Sequence, residues 1–120
     1  MNALRTITLQ TLDHGPITIT CPAWCTGHPG PPEFRVDTTH SGPSHVGTFR
    51  GRELQSARLA HSPFATRPGG DLAVSVGEPV MLGLDPAGLD ELAAAYVAYA
   101  VRLRHLAREL AVLLARGDGR

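Results

Sequence analysis

Residues 21–45 read CPAWCTGHPGPPEFRVDTTHSGPSH, and this segment constrains the architecture more than any other part of the chain. Its prolines and glycines, above all Pro29-Gly30-Pro31-Pro32, prevent a helix from crossing it. A loop of about 25 residues is rare in a compact domain unless something holds it in place. The same segment contains both cysteines and three of the six histidines of the chain. We therefore expect a bound metal to hold this loop.

Five side chains of the segment are candidate zinc ligands: Cys21, Cys25, His28, His40 and His45. Structural Zn²⁺ takes four thiolate or imidazole ligands in tetrahedral geometry. One set of four, with the spacing C-x2-H-x11-H-x4-H, begins at Cys25 and includes His28. The other, C-x3-C-x14-H-x4-H, begins at Cys21 and omits His28. Both lie near the spacing of small zinc modules, and both favour structural zinc over catalytic zinc, which keeps an open position.

Three other interpretations of these residues stay open. The cysteines form a disulfide if the compartment is oxidising, although residues 1–5 show no apolar segment typical of a secretory signal, which favours the cytoplasm. They are otherwise inert buried thiols, with the histidines scattered over the surface. If a zinc ion keeps an open position, Glu33 or Asp37 is a candidate base for a small zinc-dependent hydrolase. His14 and His61 are further candidates for such a site.

Strands are predicted on both sides of the loop. Residues 4–21 alternate apolar and polar side chains around the turn Asp13-His14-Gly15-Pro16, which predicts a β-hairpin. Weaker patterns predict further strands at 46–50, at 54–60 and, within 72–84, around Val74 and Val76 with a return at 80–82.

Residues 85–117 predict one long α-helix. Asp85 is a favourable N-cap, Pro86 suits the first turn, and Gly117 is typical of a helix end. Leucine and tyrosine recur at alternating steps of three and four, at positions 89, 92, 96, 99, 103, 106, 110 and 113, as in a coiled coil. At 1.5 Å per residue the helix is roughly 45 Å long, which exceeds the width of a compact chain of this size. We expect its first half to pack on the sheet and its second half, beyond Leu103, to form a homodimer.

These patterns predict an α+β fold, with a small antiparallel β-sheet that carries a zinc-stapled loop and one long C-terminal helix. Residues 1–84 form the β-rich domain, with the Cys/His loop at 21–46. Residues 85–117 form the helix, which packs on the sheet and dimerises.

Composition narrows the functional classes. The 120 residues carry eleven basic and eleven acidic side chains, so the net charge is zero, which argues against a general nucleic-acid binder. No charge-free apolar run approaches the ~18 residues of a membrane span. H-E-x-x-H, G-x-S-x-G and phosphate-binding glycine motifs do not occur. We expect a cytoplasmic, non-enzymatic zinc-binding interaction or regulatory module with an unknown protein partner. A dimeric DNA-binding regulator is a further alternative.

Two motifs resemble a known family. Trp24-Cys-Thr-Gly-His28, followed by His40-Ser-Gly-Pro-Ser-His45 and by the helix start Leu84-Asp-Pro-Ala87, is similar to small actinobacterial proteins of uncharacterised function. The resemblance covers nearly the whole chain, and residues 24–28 are its most specific part. It implies that Cys25, His28, His40 and His45 recur as one set, and it implies no activity.

Overall fold

The structure, a computed structural model, describes residues 4–66, 70–77 and 83–117. It has the predicted α+β class, with two small antiparallel sheets and one long C-terminal helix. In chain order the elements are β1 (Arg5–Thr11), β2 (Gly15–Cys21), a 3-10 turn (Arg35–Asp37), β3 (His40–Ser41), β4 (His45–Phe49), β5 (Arg52–His61), β6 (Ala73–Val76) and α1 (Pro86–Arg116).

The first sheet is the predicted hairpin of β1 and β2. Its register places Arg5 opposite Cys21 at the open end and Thr11 opposite Gly15 at the turn. The apolar side chains of the hairpin alternate along both strands, and they meet the cysteine loop rather than the second sheet. A single parallel bridge, between Thr11 and Glu33, links β1 to the proline-rich segment.

The second sheet is built around β5. Strands β3 and β4 follow one another along one side of β5, interrupted by Gly42-Pro43-Ser44, and β6 pairs with the other side. One sheet was expected, and two are present because the proline-rich segment separates the hairpin from the strands that follow it. The strand predicted within 72–84 is β6, and its predicted return at 80–82 lies outside the described residues.

Helix α1 has the ends that its sequence predicts. The carboxylate of Asp85 accepts a hydrogen bond of 2.8 Å from the backbone N–H of Gly88, and Gly117 adopts the left-handed conformation with φ 76°. In the described part of the chain, no helix is both long and apolar enough to cross a membrane.

The inner face of α1 forms the main core with the second sheet. Leu106, which is 1% exposed, and Leu113 pack against Ala57 and Leu59 of β5 and against Leu72. These two leucines belong to the stripe that the sequence assigned to a dimer beyond Leu103. Because their own chain buries them, they are not available to a second copy of the chain.

Close contact at Gly47 fixes the helix on β4. A Cβ atom at this position would lie 2.8 Å from Cγ of Tyr99, so the glycine lets the tyrosine ring lie directly on the strand. Arg102 adds a hydrogen bond of 2.7 Å to the carbonyl oxygen of Val46. The molecule is elongated, with extents of 54 × 31 × 26 Å.

Candidate metal centre

Four of the five predicted ligands come together in one cluster: Cys21, Cys25, His28 and His40. Each offers one ligand atom, and these atoms lie within 4.8 Å of one another. Nε2 of His28 is 3.4 Å from Sγ of Cys21 and 3.6 Å from Sγ of Cys25. The ring centroids of His28 and His40 are 5.1 Å apart. Both cysteines are free thiols.

Local backbone contacts bring these side chains together. The N–H of Cys25 donates to the carbonyl oxygen of Pro22 at 3.0 Å, and the resulting turn returns the chain towards Cys21. Gly27 follows with φ 116°, a conformation that strongly favours glycine, and it directs His28 back towards the two thiols. The N–H of Thr26 then donates to the carbonyl oxygen of Ser41 at 2.9 Å, which places the loop beside β3 and its His40.

His45 lies outside this cluster. His40 pairs with His61 on β5, whereas His45 pairs with Ala57, four residues further along that strand. At about 3.3 Å per residue, this register separates the two histidines by about 13 Å along the sheet. Both predicted sets of four contained His45, so the structure assembles a combination that neither set describes.

Burial sets the chemistry of the two thiols. Cys21 is 0% exposed and Cys25 is also buried, and both pack against Ile19 and Phe64. Burial raises the pKa of Cys21, the nearby Cys25 raises it further, and the Arg5 guanidinium acts in the opposite direction. Two buried thiols side by side favour a partner of positive charge, because a thiolate is costly to bury alone.

The imidazoles are held in the neutral form that a metal requires. Burial, with His28 and His61 nearby, lowers the pKa of His40 to about 4. Burial is also the main cause of the lowered pKa of His28, and Arg5 contributes to it. His40 is 3% exposed, and its buried Nδ1 has no hydrogen-bond partner among the described residues. A buried nitrogen without a partner is costly unless it binds a ligand.

The donor set fits zinc. With Zn–S of about 2.3 Å and Zn–N of about 2.0–2.1 Å, tetrahedral geometry separates a sulfur from a nitrogen ligand by about 3.6 Å. The two distances from His28 Nε2 to the cysteine Sγ atoms, 3.4 and 3.6 Å, agree with this value. Two thiolates and two imidazoles are a common structural zinc set.

The other residues that the sequence offered as candidates for the site lie outside the Cys/His cluster. His14 pairs with Asp13 at 3.0 Å near the hairpin turn, and Asp37 lies in the 3-10 turn. Glu33 lies in the wall of a cleft of about 520 Å³ that His28 also lines. His61 stacks on His40, with centroids 6.3 Å apart, but it is not in the cluster.

Two neighbours support the centre. Trp24 places its ring edge-to-face with His40 at 6.4 Å and packs against the main core, as an apolar wall beside the site. Arg5 was not identified from the sequence; it donates a hydrogen bond to the carbonyl oxygen of Cys25. The hairpin register was the available signal, because it places Arg5 opposite Cys21.

The fold and the cluster define a small α+β domain with a Cys2His2 group that could hold a metal ion. Residues 6–112 match a family described as a domain of unknown function (DUF6907), and the chain belongs to this family. No curated protein and no solved structure matches the sequence.

Proposed function

We propose that the protein is a non-enzymatic zinc-binding module in which Cys21, Cys25, His28 and His40 hold one structural Zn²⁺. The observation that carries this proposal is the convergence of these four ligand atoms within 4.8 Å in a buried site. Zinc is favoured over harder divalent cations because the set contains two thiolates and no carboxylate.

The position of the cluster supports a structural role. Cys21 ends the hairpin and His40 begins the second sheet, while Cys25 and His28 lie in the loop between them. A metal bound to all four would therefore join the two sheets. A two-stranded hairpin is marginally stable by itself, so the binding energy of the metal would contribute directly to folding.

We place this module in the cytoplasm, where reducing conditions keep both thiols available to the metal. The ordered loop would present a fixed surface to a protein partner. These two assignments rest on the chemistry of the cysteines and on the metal-held loop.

Metal content per chain, measured by native mass spectrometry on untagged protein, tests the proposal. We expect one Zn²⁺ per chain in the wild type and in His45→Ala, which is the matched control because His45 lies outside the cluster. Cys25→Ser and His40→Ala should each lose the metal. A wild-type protein without metal, or loss of metal in His45→Ala with retention in His40→Ala, would overturn the ligand assignment.

A small zinc-dependent hydrolase is the second candidate, and the cleft beside His28 favours it. Glu33 lies in the wall of that cleft, where a general base could face a metal-bound water. Substitution of Co²⁺ for Zn²⁺ separates the two functions by its absorption spectrum. A Glu33→Gln variant with an unchanged spectrum, together with a closed tetrahedral S2N2 centre, supports the structural role. A spectrum that shows a water ligand and depends on Glu33 supports the hydrolase.

A further inference from the structure

Helix α1 carries a second apolar stripe beside the face that packs on the sheet, and Leu103 and Leu110 of this stripe also pack against the main core. The stripe alternates small and large residues: alanine at 93, 100 and 107, and Leu or Tyr at 89, 96, 103 and 110, with Leu114 at its end. The steps alternate between four and three, as in a coiled coil. Leu89, Tyr96 and Leu114 are among the exposed large apolar side chains, the three alanines are exposed, and Leu103 and Leu110 are half-buried.

We propose that this stripe is the contact surface for a second copy of the chain, paired antiparallel about a two-fold axis that passes between the two copies of Val97. Val97 is 70% exposed, which is more than any other large apolar residue of the described chain. Val97 lies at the edge of the stripe, at the heptad position that follows Tyr96. In an antiparallel pair of helices, the residues at this heptad position face the same heptad position of the other helix. A residue on the axis of an isologous interface contacts its own copy, so the most exposed valine would be buried.

Packing across this axis matches small residues to large ones. In an antiparallel pair, each alanine position of one helix faces a Leu or Tyr position of the other. In an antiparallel coiled coil the paired positions of the seam and those of the flank differ by two in their sum, so contact of Val97 with its own copy centres the layers of the stripe on position 98. In this register Leu89 faces Ala107 of the second copy, and Ala93 faces Leu103. Tyr96 faces Ala100 in the same way. A parallel pair would instead stack alanine on alanine and leucine on leucine, with uneven layers and less contact.

Charge gives an independent reason for this register. Asp90 and Arg104 lie on the same flank as Val97, seven residues before and seven residues after it. Neither has an ion-pair partner among the residues that the structure describes, whereas Glu91 pairs with Arg50 at 2.7 Å. In the antiparallel pair, Asp90 of each chain faces Arg104 of the other chain. One Asp90–Arg104 ion pair therefore lies on each side of the two-fold axis.

Charge reversal tests the register, with self-association followed by analytical ultracentrifugation over a range of concentrations. Wild type should be a dimer. Asp90→Arg and Arg104→Asp each place two like-charge pairs at the interface, and each should raise the dissociation constant by roughly tenfold. The double variant should return towards the wild-type value. Within one chain these residues are about 21 Å apart along the helix, so rescue can arise only between chains.

Val97→Glu tests the position of the two-fold axis, and Ala98→Glu is its matched control. Both positions are exposed on α1, and Glu is a good helix former, so circular dichroism should show an intact helix in both variants. Val97→Glu should dissociate the dimer. Ala98→Glu should not, because Ala98 lies on the side of the helix that faces away from the stripe. A monomeric wild type, a dimer insensitive to both single charge reversals, or failure of the double variant to recover would overturn the proposal.

Discussion

A single methyl group at Gly47 is expected to disturb the contact between strand and helix. The added Cβ would lie 2.8 Å from Cγ and 2.9 Å from Cδ1 of Tyr99, a ring that is itself buried. We expect Gly47→Ala to lower the free energy of unfolding by about 1–3 kcal/mol, as overpacking does.

Urea denaturation measures this change, and Gly83→Ala is the control because no heavy atom lies within 4 Å of its added Cβ. The control should change stability by less than about 0.5 kcal/mol. Equal effects of the two substitutions would show that the Tyr99 contact does not limit packing at Gly47.

The residue types of the candidate metal centre can be predicted from sequence, but the combination of residues that the structure brings together cannot. Cysteine and histidine within 25 residues indicate a metal, and all four members of the cluster were candidates: Cys21, Cys25, His28 and His40. Choosing four of the five candidate ligands required two structural facts that the spacing of the ligands along the sequence does not contain. One is the hydrogen bond from Thr26 to Ser41, and the other is the register that places His45 four residues from His40 along β5.

At the scale of the element, helix α1 shows which features are local. Its ends follow from Asp85, Pro86 and Gly117, because capping depends on neighbouring residues alone. Which side of it is buried depends on the shape of the second sheet, so the heptad pattern could not distinguish contacts within the chain from contacts between chains. Leu106 was expected at a dimer interface and lies in the core of its own chain.

Two leucines of α1 should therefore respond differently to truncation. Leu106→Ala removes a side chain that is 1% exposed and leaves a cavity beside Ala57 and Leu59. We expect it to lower the free energy of unfolding by about 2–5 kcal/mol. Leu114→Ala makes the same chemical change on the same helix at a residue that is 51% exposed in a single chain, and in the monomer it should cost less than about 0.5 kcal/mol.

Thermal and urea unfolding of both variants, at a concentration where the association state is known, makes the comparison. A large loss at position 114 would mean that something outside the chain covers this end of the helix. A small loss at position 106 would contradict the assignment of the main core.

The N-cap of α1 provides a second test at this scale. Asp85→Ala removes the side-chain acceptor of the Gly88 N–H and should cost about 1 kcal/mol, whereas Asp85→Asn retains an acceptor and should cost much less. The two midpoints of urea unfolding, measured side by side, separate capping from the general loss of a polar side chain.

At the scale of the whole molecule, the two sheets depend on different sources of stability. The second sheet and α1 share an apolar core around Leu59 and Leu106. The hairpin has a smaller cluster around Ile19 that includes Cys21 and Cys25. Two hydrogen bonds also link the hairpin to the loop: the N–H of Leu12 donates to the carbonyl oxygen of Glu33, and the N–H of Arg35 donates to the carboxylate of Asp13. The hairpin is therefore the part of the fold that relies most on the loop between the sheets.

Removal of the metal should loosen the molecule unevenly. If Zn²⁺ joins the hairpin to the second sheet, chelation leaves two buried thiols and the buried imidazole of His40 without their ligand, while the core around Leu106 is unchanged. Hydrogen exchange measured by mass spectrometry should then rise in β1 and β2 and remain slow in the second half of α1. Cys25→Ser should reproduce this pattern without chelator, and chelator added to that variant should have no further effect. Equal exchange with and without metal would mean that the cluster contributes nothing to folding, and uniform loss of protection would mean that the two sheets and the helix unfold as one cooperative unit.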